Sequence, residues 1–230
     1  MNLRQPAPAL VLFDIDGTLI RRAGPHHRLA LIEAVRRVTG LETTTDGIPL
    51  QGMLDPDIFM RMLASAGIGA VEARKMMPAL FLEAQNYYVR CCPDLRRNVC
   101  PGAAPLLREL RRLGVPLGLV TGNLRRIGWK KMERAGLKPY FRFGVFSEQA
   151  RDRAGLVRLA IRYARRQGWI HAESRVTFIG DHENDIRAAQ RNGIRSVAVA
   201  TGLSSAEALT ACRPDILVPD LGQLELKELL

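Results

Sequence analysis

The sequence has little of what marks several functional classes. Its 230 residues contain four cysteines, Cys91, Cys92, Cys100 and Cys212. They form no C-x-x-C pair and have no histidine at zinc-ligand spacing, so they read as free thiols rather than a disulfide, zinc or redox set. No apolar run approaches the roughly 18 residues that a membrane helix needs. The opening, MNLRQPAPALVLF, has one basic residue and a short apolar stretch that runs into Asp14, unlike a secretory signal. A cytoplasmic protein is expected. Aromatic residues are 6% of the chain and few lie among the basic ones, which disfavours the stacking platform of a nucleic-acid binder.

Positive charge is in surplus. The formal net charge of +11 comes largely from arginine doublets such as Arg21-Arg22, Arg36-Arg37, Arg125-Arg126 and Arg165-Arg166. They are scattered rather than gathered into one arm, so they read as solvated helix faces. The charge still suits anionic small molecules and leaves a nucleic-acid partner open.

Short apolar runs recur, each followed by a turn and a helical spacing, which is the pattern of a parallel sheet with helical crossovers. Strands are expected at Ala9 to Phe13, Leu117 to Val120, Phe143 to Phe146, Val176 to Ile179, Ser196 to Val199 and Ile216 to Val218. Helices are expected at 103–113, 125–135, 153–167, 183–192 and 204–211. Between the first strand and about residue 100 the pattern becomes purely helical, at 26–38, 56–65 and 70–90. A crossover needs only a dozen or so residues, so this block is expected to be a unit of its own. The reading is an α/β protein: a Rossmann-like three-layer α/β/α core of residues 1–20 and 96–230, with a helical cap of residues 21–95. The proline-containing stretch from Pro93 to Pro101 is the expected return hinge.

The stretch that carries chemistry is LVLFDIDGTLI, residues 10–20. Two carboxylates one residue apart repel, and a plain strand end would not need both. In a strand, residues i and i+2 share a side, so Asp14 and Asp16 are expected to face one pocket at the carboxyl end of the sheet, where such folds bind ligands. Gly17 then lets the chain turn and Thr18 bonds back to hold the turn. An EF-hand calcium loop is disfavoured, because the third acid and the terminal Glu are missing and a strand precedes the motif. Three further signals follow in order, each after an expected strand. Thr121-Gly122-Asn123 offers a hydroxyl and backbone N–H groups. EQARDRAGLV places Arg151 or Arg153 at a helix start, and GDHEND places Asp181 and Asp185 after Gly180.

D-x-D-G-T-L-I at 14–20, T-G-N at 121–123, a basic residue at 151–153 and G-D-x-x-x-D at 180–185 together resemble the haloacid dehalogenase superfamily over nearly the whole chain. The likeness is to its phosphatase branch with a helical cap. GMLDPDI, residues 52–58, is similar to the cap of phosphoglycolate-phosphatase-like members, although Asp55-Pro56 also reads as a plain helix start. The resemblance implies a phosphatase for small phosphate monoesters. Asp14 would be the nucleophile and Asp16 the general acid and base. Asp14, the Asp16 backbone carbonyl, Asp181 and Asp185 would hold Mg2+. Thr121, Gly122, Asn123 and Arg153 would bind the phosphoryl oxygens. Arg replaces the family's usual Lys, with Arg153 of the Asp152-Arg153 pair favoured over Arg151. His182, followed by Glu183, stands where Thr or Ser is more usual. His182, His26 and His27 read as ordinary loop or surface histidines. Dehalogenase chemistry is disfavoured because it does not need Asp16. A phosphomutase and a non-catalytic nucleic-acid or protein-binding module remain as alternatives.

Overall fold

The first strand, β1 (Ala7–Phe13), is apolar from Ala9 onward because both of its faces are covered. Val11 and Phe13 pack on one face with Leu106, Leu107 and Leu110 of α4 (Ala103–Arg112) and with Ile127 and Met132 of α5 (Arg125–Arg134). Leu10 and Leu12 point the other way, toward Leu156, Val157 and Ala160 of α6 (Arg153–Arg166) and Ala188 and Ala189 of α7 (Glu183–Arg191). A helix layer on each face of a parallel sheet gives the expected three-layer α/β/α core. The computed structural model describes residues 6–230, so the basic opening at residues 1–5 lies outside the described residues.

Among the described residues six parallel strands form one sheet in the order β3-β2-β1-β4-β5-β6. After β1 the chain runs outward through β2 (Leu117–Val120) and β3 (Phe143–Val145). It then returns to the other side of β1 for β4 (Ile170–Gly180), β5 (Arg195–Val199) and β6 (Ile216–Val218). The order therefore switches between β1 and β4, and a crevice opens at their carboxyl ends. A short helix, α8 (Ala206–Ala211), buries Leu209 against Ile186 and Ala198. Strand β4 starts at Ile170 rather than Val176. Its first residues are mostly exposed and pair with β1 only at their two ends, Ile170 with Ala7 and Arg175 with Ala9, so no apolar run announces them. Strand β3 stops at Val145, one residue short of Phe146.

Between β1 and α4 lie α1 (His26–Thr39), α2 (Asp55–Ser65) and α3 (Ala70–Cys91), with no strand among them. Helix α1 packs along α3, and α2 packs on α3. Ala30, Leu31, Ala34 and Val35 of α1 and Leu80, Ala84 and Tyr88 of α3 belong to the same buried cluster as Val11 and Phe13. The chain leaves and re-enters the sheet region side by side: Ile20 bridges Val99, the Arg21 N–H donates to the Asn98 carbonyl (2.9 Å), and the Cys100 N–H donates to Leu19 (2.9 Å). All four cysteines are free thiols. No helix among the described residues is long and apolar enough to cross a membrane.

Candidate active site

Pairing of β1 stops at Phe13, and the Asp14 N–H makes one more bond to the Ile179 carbonyl of β4 (3.0 Å). This plants Asp14 at the switch point. Its carboxylate is buried and accepts from Arg153 Nη1 at 2.9 Å, while the same nitrogen lies 3.2 Å from Asp185 Oδ1. Arg153 is the first residue of α6, whose start is capped by Asp152 accepting from the Gly155 N–H (2.7 Å). A cation is disfavoured at a helix N-terminus, so Arg153 is held there by the acids it faces. Arg151 is exposed and lines a different cleft.

Asp181 and Asp185 arrive at the same point from the end of β4 and the start of α7. Carboxylate oxygens of Asp14, Asp181 and Asp185 lie within 4.8 Å of one another, all buried. Burial drives the Asp14 carboxyl up and Arg153 pulls it down, while Asp185 and Asp16 push it up again, leaving it at about 6 against an ordinary 3.8. Asp181 is pushed well above the ordinary range by burial and then by Asp14 and Asp185. Asp185 is raised by burial against the pull of Arg153. Three hard oxygen donors that repel one another are the donor set of a hard dication. Two details of the structure agree. Asp185 Oδ1 is buried without a hydrogen-bond donor, and the Asp181 carboxylate is oriented by the Thr18 hydroxyl at 2.9 Å. Thr18 thus serves Asp181 across the crevice rather than the turn of its own loop.

Gly17 and Gly202 cradle Asp181. Gly17 has φ +84° and a Cβ on either glycine would overlap the Asp181 carboxylate. Gly202→Ala is expected to displace that carboxylate and to weaken divalent-cation binding about tenfold or more while the chain stays folded. A cation titration followed by calorimetry checks this, and unchanged affinity would remove Asp181 from the ligand set.

Asp16 faces the same cavity as Asp14, as expected, but is held by different partners. Both acids line one cavity of about 650 Å³, and each carboxylate has its own cation, Arg153 for Asp14 and Lys131 for Asp16. Asp16 is turned toward α5, where Lys131 Nζ lies 2.8 and 2.6 Å from its two oxygens and Asn123 Nδ2 donates at 2.8 Å. Ladder pairing ends at Phe13, so the partners of residue 16 are set by tertiary packing rather than by strand alternation. Desolvation in the cavity would raise the Asp16 carboxyl, but the Lys131 charge and the hydrogen bonds from Lys131 and Asn123 prevail and hold it below the ordinary range. The Asp16 side chain is not among the three clustered carboxylates.

Thr121 and Asn123 are both buried at the carboxyl end of β2, with Asn123 Nδ2 donating to Thr121 Oγ1 at 2.7 Å. Asp55 is more than the first residue of a helix. It is buried, accepts from the Leu124 N–H just ahead of α5 (2.7 Å) and pairs with His27 Nε2 (3.1 Å), while its own N–H donates to the Gly122 carbonyl (2.9 Å). His27 is therefore part of the site, contrary to its surface reading. His26 is half-buried and outside the cavity lining. His182 lines the cavity, caps α7 by accepting from the Asn184 N–H (3.1 Å) and lies 3.2 Å from Glu183. Lys131 escaped the sequence reading because α5 is written as a basic helix, RRIGWKKMER. Its signal was positional: Lys131 shares a helical stripe with Leu124 and Ile127, where an apolar residue is expected.

A doubly wound sheet with buried acids and a buried arginine at its switch point defines an enzyme that handles an anion. Comparison with known proteins gives the family. The model of the haloacid dehalogenase-like hydrolases matches residues 8–193. A phosphoglycolate phosphatase of Pseudomonas aeruginosa is 27% identical over 94% of this chain and 78% of its own. One from Synechococcus elongatus is 26% identical over 90% of this chain and 91% of its own. The solved beta-phosphoglucomutase of Clostridium difficile shares the fold, with TM-score 0.70 and 19% identity over 96% of this chain and 94% of that one. The chain belongs to the haloacid dehalogenase-like hydrolases, and it is an enzyme.

Proposed function

We propose that the protein is a Mg2+-dependent phosphatase for a small phosphate monoester, with a phosphoglycolate-like or sugar phosphate substrate. The observation that carries this reading is the meeting of Asp14, Asp181, Asp185 and Arg153 at the switch point with Asp16 lining the same cavity. The two phosphoglycolate phosphatases support the substrate class. Asp14, the Asp16 carbonyl, Asp181 and Asp185 would hold Mg2+, which supplies charge neutralisation between nucleophile and phosphate.

In this mechanism an Asp14 oxygen attacks phosphorus, the ester P–O bond breaks, and Asp16 gives its proton to the departing oxygen. An arriving phosphate dianion shifts Asp16 toward its protonated form, against the present pull of Lys131. Asp16 then takes a proton from water, whose oxygen attacks phosphorus and releases Asp14 and inorganic phosphate. Thr121 with the Gly122 and Asn123 backbone, and Arg153 by charge, bind the phosphoryl oxygens. Residues 21–95 act as a cap over the core of 1–20 and 96–230, closing the cavity from water; Ile20 and Val99 mark its paired exits.

The test is phosphate release from phosphoglycolate, sugar phosphates, nucleotides and an aryl phosphate, with and without Mg2+. Release that requires Mg2+ and favours one small monoester is expected. Appearance of an isomer without phosphate would indicate a mutase. No turnover by a protein that binds nucleic acid in a salt-sensitive way would replace the reading with a binding module.

A further inference from the structure

Among the described residues two basic side chains are buried, Arg153 and Lys131, and each stands on one acid of the D-x-D pair. Arg153 accounts for the phosphate side of the site. We infer that Lys131 is a positioning residue that fixes the Asp16 carboxylate at the leaving-group side of the cavity. The inference rests on the phosphatase reading, in which Asp16 protonates the leaving oxygen.

The geometry has three parts. Lys131 comes from α5, 115 positions away in the chain from Asp16, and is 1% exposed, whereas its neighbour Lys130 reaches solvent beside Glu133. Sealing an ammonium from water is costly unless every N–H is satisfied. Here Nζ lies against both Asp16 oxygens (2.8 and 2.6 Å), Asn123 Oδ1 (2.6 Å) and His27 Nδ1 (3.1 Å), and 5.9 Å from the Tyr88 ring. An ammonium has three protons and these partners consume them. Lys131 has no donor left for a substrate, so it acts through Asp16.

The supports are themselves fixed. His27 Nε2 faces Asp55, which selects the tautomer whose Nδ1 accepts from Lys131. Asp55 is anchored by the Leu124 N–H. Asn123 holds Asp16 with its NH2 group and Lys131 with its carbonyl, so its orientation is also determined. Asp16, Asn123, Lys131, His27 and Asp55 form one chain of contacts that joins the sheet end to α1 and α2. Without Lys131, Asp16 would keep one donor, Asn123, and would be free to rotate into the cavity.

The experiment uses the full chain with Mg2+ and two substrates: the best alkyl phosphate from the panel, and p-nitrophenyl phosphate, whose phenolate leaves without a proton. Lys131→Met is expected to lower kcat on the alkyl ester about 100-fold with KM little changed, the size of a general-acid contribution. On the aryl ester the initial burst of p-nitrophenolate, a step that needs no acid, should slow only a few-fold, while the later hydrolysis of the aspartyl-phosphate, which needs Asp16 as base whichever ester formed it, is slowed for both substrates. Asp16→Asn should give the same split, and adding Lys131→Met to it should cost nothing further, because the two act as a unit. Lys131→Gln, which restores a donor without the charge, should recover part of the alkyl activity and serves as the second variant if the Met form unfolds. Equal losses in alkyl turnover and in the p-nitrophenolate burst, or a further loss in the Asp16→Asn background, would overturn the positioning role while leaving the phosphatase reading intact. A wild-type chain that releases phosphate from neither ester overturns the phosphatase reading itself.

Discussion

Asp14→Asn is expected to lower phosphate release by about 10⁴-fold or more, the scale seen when a nucleophile is removed from a working site. The substitution is nearly isosteric, so the reason is chemical. An amide oxygen has no negative charge to attack phosphorus with, and the aspartyl-phosphate cannot form. The fold should survive. Asp14 sits in a buried site where burial and the Asp185 and Asp16 charges oppose its ionisation, so removing its charge relieves repulsion. Arg153 keeps Asp185 at 3.2 Å and is not left unpaired. Thermal unfolding of the metal-free variant should therefore occur at or above the wild-type temperature. A dead enzyme that melts normally identifies the nucleophile. Wild-type turnover by this variant would sink the mechanism.

The second large effect is on stability. In the metal-free protein the Asp14 carboxyl is raised to about 6 from 3.8, and Asp181 and Asp185 are raised with it. The folded state therefore holds protons that the unfolded chain has already released. Stability from this source is present below the ordinary Asp value and is lost as pH rises through about 4 to 6. At pH 7.5 the folded chain carries repelling carboxylates that Arg153 offsets only in part, and a divalent cation should restore what was lost. At a concentration of 100 times Kd the gain is about 2.7 kcal/mol, which for a chain of this size is about 5–10 °C in Tm. The expected result is a Tm rise with Mg2+ that is large at pH 7.5 and small at pH 5, and loss of turnover with a chelator. A rise of the same size at both pH values would mean that the cation binds elsewhere.

The sequence made the frame of this site legible because its motifs are local. D-x-D-G-T, T-G-N and G-D-x-x-x-D each lie within a few residues of a strand end, and a strand buried on both faces announces itself as an apolar run. Asp14, Thr121, Asn123, Arg153, Asp181 and Asp185 all stand at the crevice where those strand ends meet. What was not legible is held by long-range contacts. His27 and Asp55 are 28 positions apart, and each looks ordinary in its own helix. Lys131 is one of five basic residues in its ten-residue helix, and only its place on the apolar stripe sets it apart. The partners of Asp16 were not legible for a related reason. Period-two alternation is a property of paired backbone, and pairing ends three residues earlier.

By itself the sequence determined the class of fold, the order of its elements and the residues that bring charge to the strand ends. These depend on periodicity, turn chemistry and the carboxyl-end rule for parallel sheets, all of which act over short distances. Only the tertiary structure decided how that charge is shared: Arg153 on Asp14, Lys131 on Asp16, and three carboxylates left facing one another. A buried cation goes where burial leaves an acid that needs it, and that depends on which helices pack together rather than on any local pattern.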